Sequence, residues 1–278
     1  MHGTGMNAQE TWAGNYRKLL PEQGYPVCTV NLPDKALGDI QVSSEYVVGA
    51  LRAMSRHYGE PLDVITHSQG GLEVRWKIGK YWPDVHKHID DFVSLAAPNH
   101  GTGGANTACL QQLAACTASV QQQRVGSRFL AALNDDEGVP QGVSCTSIFS
   151  ITDEVVEELV PSYTSAVRGA SNVLVQDLCP GRVVTHPGEL TDAAVYAITE
   201  DALSHAGPAK LSRVDRSACA RVQAPGVTLN AFLRTIIGSC LDAAMAIGTG
   251  PTSGEPPLKP YARGDAGGGS GSTPGGLP

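Results

Sequence analysis

The sequence has few charged residues and no basic stripe. Only 17% of its 278 residues are charged, and 20 lysines and arginines against 27 acidic residues leave a formal net charge of −7. That balance argues against a nucleic-acid partner. Apolar runs are short as well, since none approaches the roughly 18 residues that a membrane-spanning helix needs. The sequence therefore predicts neither a nucleic-acid-binding protein nor a transmembrane one.

A recognisable export signal is also lacking. Met1 stands directly before His2-Gly3, at a place where a sheet of the kind described below begins with an apolar strand. We therefore expect one or more strands, and an export signal before them, to precede Met1 in the complete protein. Because we expect the signal to lie before Met1, its absence from this sequence does not argue against export.

The seven cysteines include no C-x-x-C pair, so zinc explains them poorly. Seven is high for a cytosolic chain of this length and odd for a fully paired secreted one. Cys109 and Cys116 are close enough to bridge one surface segment, whereas Cys179 and Cys219 flank a segment with a candidate histidine. An odd number cannot all pair, which leaves open the state of Cys28, Cys145 and Cys240.

A candidate nucleophile follows an apolar run over 62–65, in Thr66-His67-Ser68-Gln69-Gly70. A serine between a strand and a helix, with glycine two residues later, is typical of a nucleophile elbow. Thr66 departs from the generic pattern, which has glycine there. The backbone N–H groups that open the following helix point to the space where an oxyanion forms. The pattern predicts Ser68 as the nucleophile; the alternative is an ordinary serine N-cap.

A glycine-rich loop, His2-Gly3-Thr4-Gly5, stands upstream of the serine. In hydrolases with such an elbow, a loop of this kind donates one oxyanion-hole N–H, and the residue after the nucleophile donates the other. Glycine lets the backbone approach the substrate. We therefore predict Thr4 and Gln69 as the oxyanion hole, with the Thr4 hydroxyl as a third donor. The alternative is a glycine-rich turn without a role.

Helical and strand patterns alternate along the chain. The periodicity predicts helices over 10–20, from residue 43, over 69–82 and over 190–203, and strands over 26–32, 62–65, 92–96, 146–151 and 182–185. Such alternation predicts an α/β fold, a mostly parallel sheet with right-handed crossovers and helices on both faces. We expect a single domain over 1–263, with a loop or cap excursion over 99–140 and a Gly/Ser/Pro-rich disordered tail over 264–278.

The last strong helical pattern covers 228–247 and has one wide apolar face. Two interpretations stay open: the face packs on the core, or the helix lies near the mouth of the site and meets apolar substrate.

A serine hydroxyl needs a base, and the base needs a carboxylate that fixes its tautomer. Asp153 follows a predicted strand and His186 another, which is where α/β sheets carry their catalytic side chains. Asp63 lies inside the strand before the serine, and Asp192 opens a helix, where acids are common. His205 ends a helix. The sequence favours Ser68, Asp153 and His186 in that order.

Two further residues are predicted to line the substrate pocket. His67 adjoins the nucleophile, and Asn99 begins the excursion. A metal site at His86-x-His88 near Asp90 and Asp91 is a weaker alternative to a solvated polar turn. We predict no metal and no cofactor.

Motifs spread from 2 to 263 together resemble the Candida antarctica lipase B-like family of α/β-hydrolases, and in particular its bacterial relatives. They are Gly3-Thr4-Gly5, Gly24-Tyr25 with Cys28, Gln41-Val42 with Glu45-Tyr46, Ser68-Gln69-Gly70-Gly71-Leu72, Ala97-Pro98, Thr152-Asp153-Glu154 and Pro260-Tyr261-Ala262-Arg263. The resemblance implies a secreted triacylglycerol lipase or esterase without metal or cofactor. It assigns Ser68, Asp153 and His186 as the triad, Thr4 and Gln69 as the oxyanion hole, and a Cys179–Cys219 disulfide.

The sequence departs from that family at four places. His67 stands where the family has tryptophan, which implies a pocket of different size and polarity. The expected partner of Cys28 would lie upstream of Met1, Gly254 stands where the family's last disulfide begins, and Cys109 and Cys116 have no counterpart.

The leading functional prediction is a monomeric serine carboxylic ester hydrolase that acts on acylglycerols and other apolar esters, in part at a lipid–water interface. An acyltransferase or polyester depolymerase would use the same acyl-enzyme. A non-catalytic binding protein on this fold would be expected to have lost a triad or oxyanion residue, and none is missing.

Overall fold

A computed structural model describes residues 1–76, 81–82, 84–113, 116–135, 138–140, 142–156, 158, 163–231, 233–234, 237 and 252–263. Four strands lie within these ranges: β1 (Leu62–His67), β2 (Ile89–Leu95), β3 (Ser144–Phe149) and β4 (Ser171–Leu174). The α-helices there are α1 (Ala8–Trp12), α2 (Tyr16–Glu22), α3 (Ile40–Tyr58), α4 (Gly70–Trp76), α5 (Gly103–Leu110), α6 (Ala118–Gln122), α7 (Arg128–Leu133), α8 (Val175–Leu178) and α9 (Ala193–Ser204).

All four strands pair in parallel, in the order β1-β2-β3-β4. One register line runs across them through Thr66, Ser94, Ser147 and Asn172. Parallel neighbours require crossover connections, which bury both faces of the sheet. The predicted parallel α/β architecture is therefore confirmed.

Successive residues of β2 face opposite apolar layers because side chains alternate along a strand. Val93 and Leu95 belong to the layer that contains α1, α2 and α9, with Trp12 and Tyr16 in it. Phe92 belongs to the layer on the other face, which α3 covers. The two layers hold the carboxyl ends of the strands, and thus Ser68, in a fixed position.

The helix expected over 10–20 is two helices instead. Asn7 and Glu10 form a capping box at the start of α1, and the Asn15 side chain caps α2. Gly14 lies between the two helices, in contact with Ala231, where an added Cβ would lie 2.9 Å from the alanine Cβ. The single-helix prediction is wrong because local caps divide the apolar pattern.

The strand predicted over 26–32 is also wrong. Residues 25–32 have no regular secondary structure and make no ladder, and they line a cavity of 240 Å³ together with β1, with Val27, Cys28 and Leu62 in its wall. Next to this cavity, the Met1 carbonyl accepts a hydrogen bond from His67 N–H, and the Met1 ammonium donates to Ile65 O. Within the described residues, the sheet does not include 26–32, so its apolar pattern packs without pairing.

The strand predicted over 182–185 is wrong, since these residues have no regular secondary structure. Strand β4 at Ser171–Leu174 was not predicted. The excursion over 99–140 carries three short helices, α5, α6 and α7. Within 228–247, the structure describes 228–231, 233–234 and 237, where Leu229, Leu233 and Ile237 are exposed. The predicted tail over 264–278 lies outside the described residues, and the extent of the single domain stays a prediction.

Candidate active site

Ser68 occupies a sharp turn between β1 and α4. Its backbone has φ 55°, in the left-handed region, and its N–H donates to Leu95 O at 2.8 Å. Such backbone strain is typical of a nucleophile elbow. Gly71 lets α4 approach the sheet, because an added Cβ there would lie 2.7 Å from Ser94 Oγ. Local sequence thus dictates the tight turn on which Ser68 sits, and the serine there is only 7% exposed.

His186 and Asp153 form a close pair beside this turn. His186 Nδ1 lies 2.7 Å from Asp153 Oδ2, and both residues are buried. Asp153 Oδ1 accepts from the N–H groups of Val155 and Val156, each at 2.8 Å. Burial alone would raise the pKa of Asp153, but the charge of His186 and these hydrogen bonds lower it below its ordinary value. Asp153 is therefore an ionised acceptor that holds the imidazole with Nδ1 protonated.

Side chains, rather than a sheet ladder, hold the segment that carries His186. Thr152 Oγ1 both accepts from Val184 N–H at 2.8 Å and donates to Val184 O at 3.0 Å. Glu154 Oε2 accepts from His186 N–H at 3.0 Å. The motif Thr152-Asp153-Glu154 is visible in the sequence, but these contacts of its first and third residues are not.

His67 lies beneath the pair. Its Nε2 donates to the backbone carbonyl of His186 at 3.0 Å, and the two rings are 4.7 Å apart. Burial, and then the charge of His186, lower the pKa of His67 to about 3, so this ring is neutral. His67 is only 2% exposed, and its predicted role in the substrate pocket stays a prediction.

Ser68 and His186 are neighbours through His67, which precedes the serine directly. Within the described residues, Ser68 Oγ makes no hydrogen bond with His186. Hydrogen bonds between catalytic groups are often long in an empty site and tighten on substrate. His186 reaches the elbow through its contact with His67, the residue before Ser68.

The loop over 2–5 packs directly on the elbow. A Cβ on Gly3 would lie 2.7 Å from Ser68 Cβ, so glycine is required for this close approach. His2 is buried, with Nδ1 donating to Gly3 O and Nε2 accepting from Leu32 N–H, each at 2.9 Å. Burial lowers the pKa of His2 to about 4, which keeps it neutral and able to accept at Nε2. The sequence did not reveal this role of His2.

A left-handed turn supports the other end of the loop. Asp34, Lys35 and Ala36 all have positive φ, and the Lys35 carbonyl accepts from Gly5 N–H at 2.8 Å. In the described part of the chain, the backbone N–H groups of Thr4 and Gln69 donate to no protein atom. They are the two groups predicted as the oxyanion hole, and they are available for a ligand.

The Thr4 hydroxyl is already engaged. It donates to Gln69 Oε1 at 2.5 Å and accepts from Gln123 Nε2 at 3.1 Å. Gln69 Nε2 donates to Glu73 Oε1 at 2.8 Å and to Ala36 O at 3.0 Å. Burial raises the pKa of Glu73 to about 7, although hydrogen bonds to the carboxylate, of which that from Gln69 is the strongest, act in the opposite direction. Sequence reasoning missed Glu73 and Gln123.

The rival acid and base residues have other partners. Asp63 stands five residues before Ser68 along β1, about 16 Å at roughly 3.3 Å per residue. Asp192 caps α9 and pairs with Arg182 at 2.8 Å. His205 is half-exposed at the end of α9, 3.4 Å from Asp201. None of them contacts Ser68.

The acidic residues that cluster in the structure differ from the predicted metal site at His86-x-His88. Carboxylate oxygens of Asp63, Asp90 and Asp91 lie within 4.8 Å of one another, and neither His86 nor His88 joins them. His88 Nδ1 lies instead 2.9 Å from Ser55 Oγ. Exposed acidic groups commonly cluster without an ion, and no metal site is assigned.

Asn99 is fully buried, and both ends of its side chain have protein partners. Oδ1 accepts from Arg75 at 3.0 Å, and Nδ2 donates to Ser165 O at 2.7 Å. Its role here is to hold the excursion, and its predicted place in the pocket stays a prediction.

Two disulfides form, Cys109–Cys116 and Cys179–Cys219. The second anchors the segment before His186 to the turn over 216–220. Cys28 is free and exposed, Cys145 is free and buried, and Cys240 lies outside the described residues.

A strained serine between a parallel strand and a helix, with a buried histidine–carboxylate pair beside it, defines the class of α/β-hydrolases. Comparison with known proteins agrees. The class 2 lipase family matches residues 1–179. Lipase B of Pseudozyma antarctica is 34% identical over 270 residues, which cover 94% of this chain and 77% of that protein.

Solved structures extend the comparison. Aspergillus fumigatus lipase B superimposes with a TM-score of 0.83 at 30% identity, over 94% of this chain and 65% of that one. The mature Bacillus licheniformis lipase BlEst2 superimposes with a TM-score of 0.53 at 15% identity, over 62% of this chain and 80% of that one. At this identity, the likeness shows a shared fold alone. The chain belongs to the class 2 lipase family. It is an ester-hydrolysing enzyme of the lipase and esterase type, as predicted. The predicted bacterial relationship stays a prediction.

Proposed function

We propose that the chain hydrolyses acylglycerols and other apolar carboxylic esters through an acyl-enzyme on Ser68. The observation that carries the proposal is the buried His186–Asp153 pair, 2.7 Å apart, next to a serine in a left-handed turn. Ser68 is the nucleophile, His186 the base and Asp153 the group that orients it. Thr4 and Gln69 supply the oxyanion-hole N–H groups.

In the first half-reaction, His186 Nε2 removes the hydroxyl proton while Ser68 Oγ attacks the ester carbonyl carbon. Asp153 stabilises the imidazolium that results and stays ionised itself. The backbone N–H groups of Thr4 and Gln69 stabilise the negative oxygen of the tetrahedral intermediate. His186 then protonates the leaving alkoxide, which departs as the alcohol and leaves the acyl-enzyme.

In the second half-reaction, His186 removes a proton from water, which attacks the acyl carbonyl, and then returns that proton to Ser68 Oγ. An acyltransferase would admit an alcohol or amine at this step. The similarity to lipases over most of the chain favours water as the acceptor.

Apolar side chains near the triad support an apolar substrate. Ile151 and Val155 flank Asp153 and are exposed, as is Val183 near His186. Exposed apolar groups around a site are typical of surfaces that meet apolar ligands. We propose that this rim contacts the acyl chain or the edge of a lipid surface.

The enzyme is proposed to act outside the cell as a monomer. Two disulfides support the location because such bonds persist in oxidising compartments. In the described part of the chain, no helix is both long and apolar enough to cross a membrane.

The experiment treats the enzyme with an organophosphonate ester and maps the labelled peptide by mass spectrometry. We expect a single label on Ser68 and no label in Ser68→Ala, with Ser204→Ala as the matched control that is labelled normally. A series of p-nitrophenyl esters of increasing chain length and emulsified triglyceride then define the substrate range. Labelling at another residue would contradict the assignment.

A further inference from the structure

A buried acid next to the oxyanion hole has no part in the mechanism described so far. Glu73 lies on α4, four residues after Gln69, and is fully buried. Residues four apart lie one above the other on a helix face, so its side chain reaches back toward the elbow. Burial of a carboxyl group is costly unless its oxygens accept hydrogen bonds.

One oxygen of Glu73 receives two donors. Oε1 accepts from Gln69 Nε2 at 2.8 Å and from Ser43 Oγ at 3.0 Å. Oε2 makes no hydrogen bond within the described residues. Because a proton on Oε2 leaves Oε1 free to accept, this contact is the same whether Glu73 is charged or neutral.

The contact decides which way the Gln69 amide faces. Both hydrogens of Nε2 are directed to acceptors, Glu73 Oε1 and Ala36 O. The carbonyl end therefore faces Thr4, whose hydroxyl donates to it at 2.5 Å, and Gln123, whose Nε2 donates at 3.0 Å. A flipped amide would set donor against donor at Gln123 and place the Gln69 oxygen against Glu73 Oε1.

Thr4 depends on this orientation. Its hydroxyl has one partner that can only accept, Gln69 Oε1, and one that can only donate, Gln123 Nε2. With both contacts present, the side chain of Thr4 is fixed, and so is the backbone whose N–H faces the proposed oxyanion. The chain Glu73–Gln69–Thr4 thus runs from the interior of α4 to the oxyanion hole.

We propose that Glu73 is a positioning residue that fixes the Gln69 amide and, through it, Thr4 at the oxyanion hole. The inference rests on the proposed function of Ser68, Thr4 and Gln69. Glu73 itself touches no substrate. It acts on the transition state because groups that stabilise a developing charge must be oriented before the reaction.

The test compares two substitutions of Glu73. Glu73→Met has similar length but no acceptor, so the Gln69 amide loses its anchor. We expect kcat to fall about 10- to 100-fold, which is no more than the fall in kcat when an oxyanion-hole donor is removed. KM should change less than about threefold. Glu73→Gln retains an acceptor oxygen and should recover most of that kcat. Ser43→Ala is the matched control, since it removes the other donor to Oε1 and leaves Gln69 anchored.

A double variant tests whether Glu73 acts through Thr4. If it does, Glu73→Met combined with Thr4→Val should lose little more kcat than Thr4→Val alone, whereas independent effects multiply. Should Glu73→Met fail to fold, Gln69→Met cuts the same link from the other side and should show the same loss of kcat.

Phosphonate labelling of the same variants separates this proposal from the proposed function. Wild type that is not labelled at Ser68 overturns the proposed function. Two results overturn the role of Glu73 while wild type is still labelled at Ser68. One is a wild-type kcat in Glu73→Met, and the other is a kcat in Glu73→Gln as low as that of Glu73→Met.

Discussion

His67 Nε2 donates a hydrogen bond to the backbone carbonyl of His186, so the residue before Ser68 holds the segment that carries His186. The link joins β1 to a segment that has no place in the sheet. It also restricts His67 to one tautomer, with Nε2 protonated, because a carbonyl can only accept. His67 therefore links Ser68 directly to His186, in addition to the contacts that Thr152, Asp153 and Glu154 make with the same segment.

Removal of that donor should weaken catalysis. We expect His67→Leu to lower kcat about tenfold, because a net hydrogen bond of about 0.5 to 1.5 kcal/mol that orients His186 is lost. His67→Gln can still donate and serves as the control that retains more of the kcat. Steady-state kinetics on a soluble ester measures both. Equal kcat in the two variants would show that the contact orients nothing.

Thr4→Val should affect kcat more than KM. The substitution keeps the backbone N–H but removes the hydroxyl that bonds Gln69 and Gln123. Loss of one oxyanion-hole donor costs about 10² to 10³ in rate. The hydroxyl positions the Thr4 N–H and does not itself bond the oxyanion, so we expect a loss of no more than about 10². Thr4→Ser, which retains the hydroxyl, is the control. A change in KM alone would mean that Thr4 only shapes the pocket.

Glu189 makes stability depend on pH. It is fully buried, and burial, followed by the charges of Asp153 and Glu158, raises its pKa well above the ordinary value. The folded chain therefore keeps a proton that the unfolded chain releases. Below the pKa that Glu189 has in the unfolded chain, the group costs no stability. The free energy of unfolding then falls as pH rises from that pKa toward the higher pKa of Glu189 in the folded chain.

Glu189→Gln replaces the neutral carboxyl by a neutral amide and removes that dependence. We expect the free energy of unfolding of the variant to rise relative to that of wild type as pH rises from 5 to 9. The difference should reach at least about 1 kcal/mol near pH 8, since one pKa unit corresponds to about 1.4 kcal/mol. Thermal unfolding across this range measures it, with exposed Glu60→Gln as the control. A constant difference between Glu189→Gln and wild type would contradict the account.

The sequence was sufficient for the parts of the site that depend on neighbours in the chain. A tight turn at Ser68 requires small residues after it, and close approach to Ser68 requires Gly3, so both features were visible as motifs. The strands over 62–67, 89–95 and 144–149 were predicted within three residues at each end because their apolar runs are buried in a parallel sheet.

Long-range contacts account for most of what the sequence did not reveal. Residues 26–32 have the pattern of a strand, but pairing depends on a backbone beside them, which periodicity does not report. The roles of Glu73, Gln123 and Glu154 depend on side chains brought together from distant segments. Their residue types are ordinary for exposed helices and loops, so only burial in the folded chain distinguishes them.

The central claim is that Ser68, Asp153 and His186 act as one unit, and the kcat of histidine variants tests it most directly. We predict that His186→Ala loses about 10⁴- to 10⁶-fold in kcat, as Ser68→Ala does, and that the double variant loses little more. His205→Ala, at the exposed end of α9, should retain most of the activity. An active His186→Ala beside an inactive His205→Ala would contradict the account.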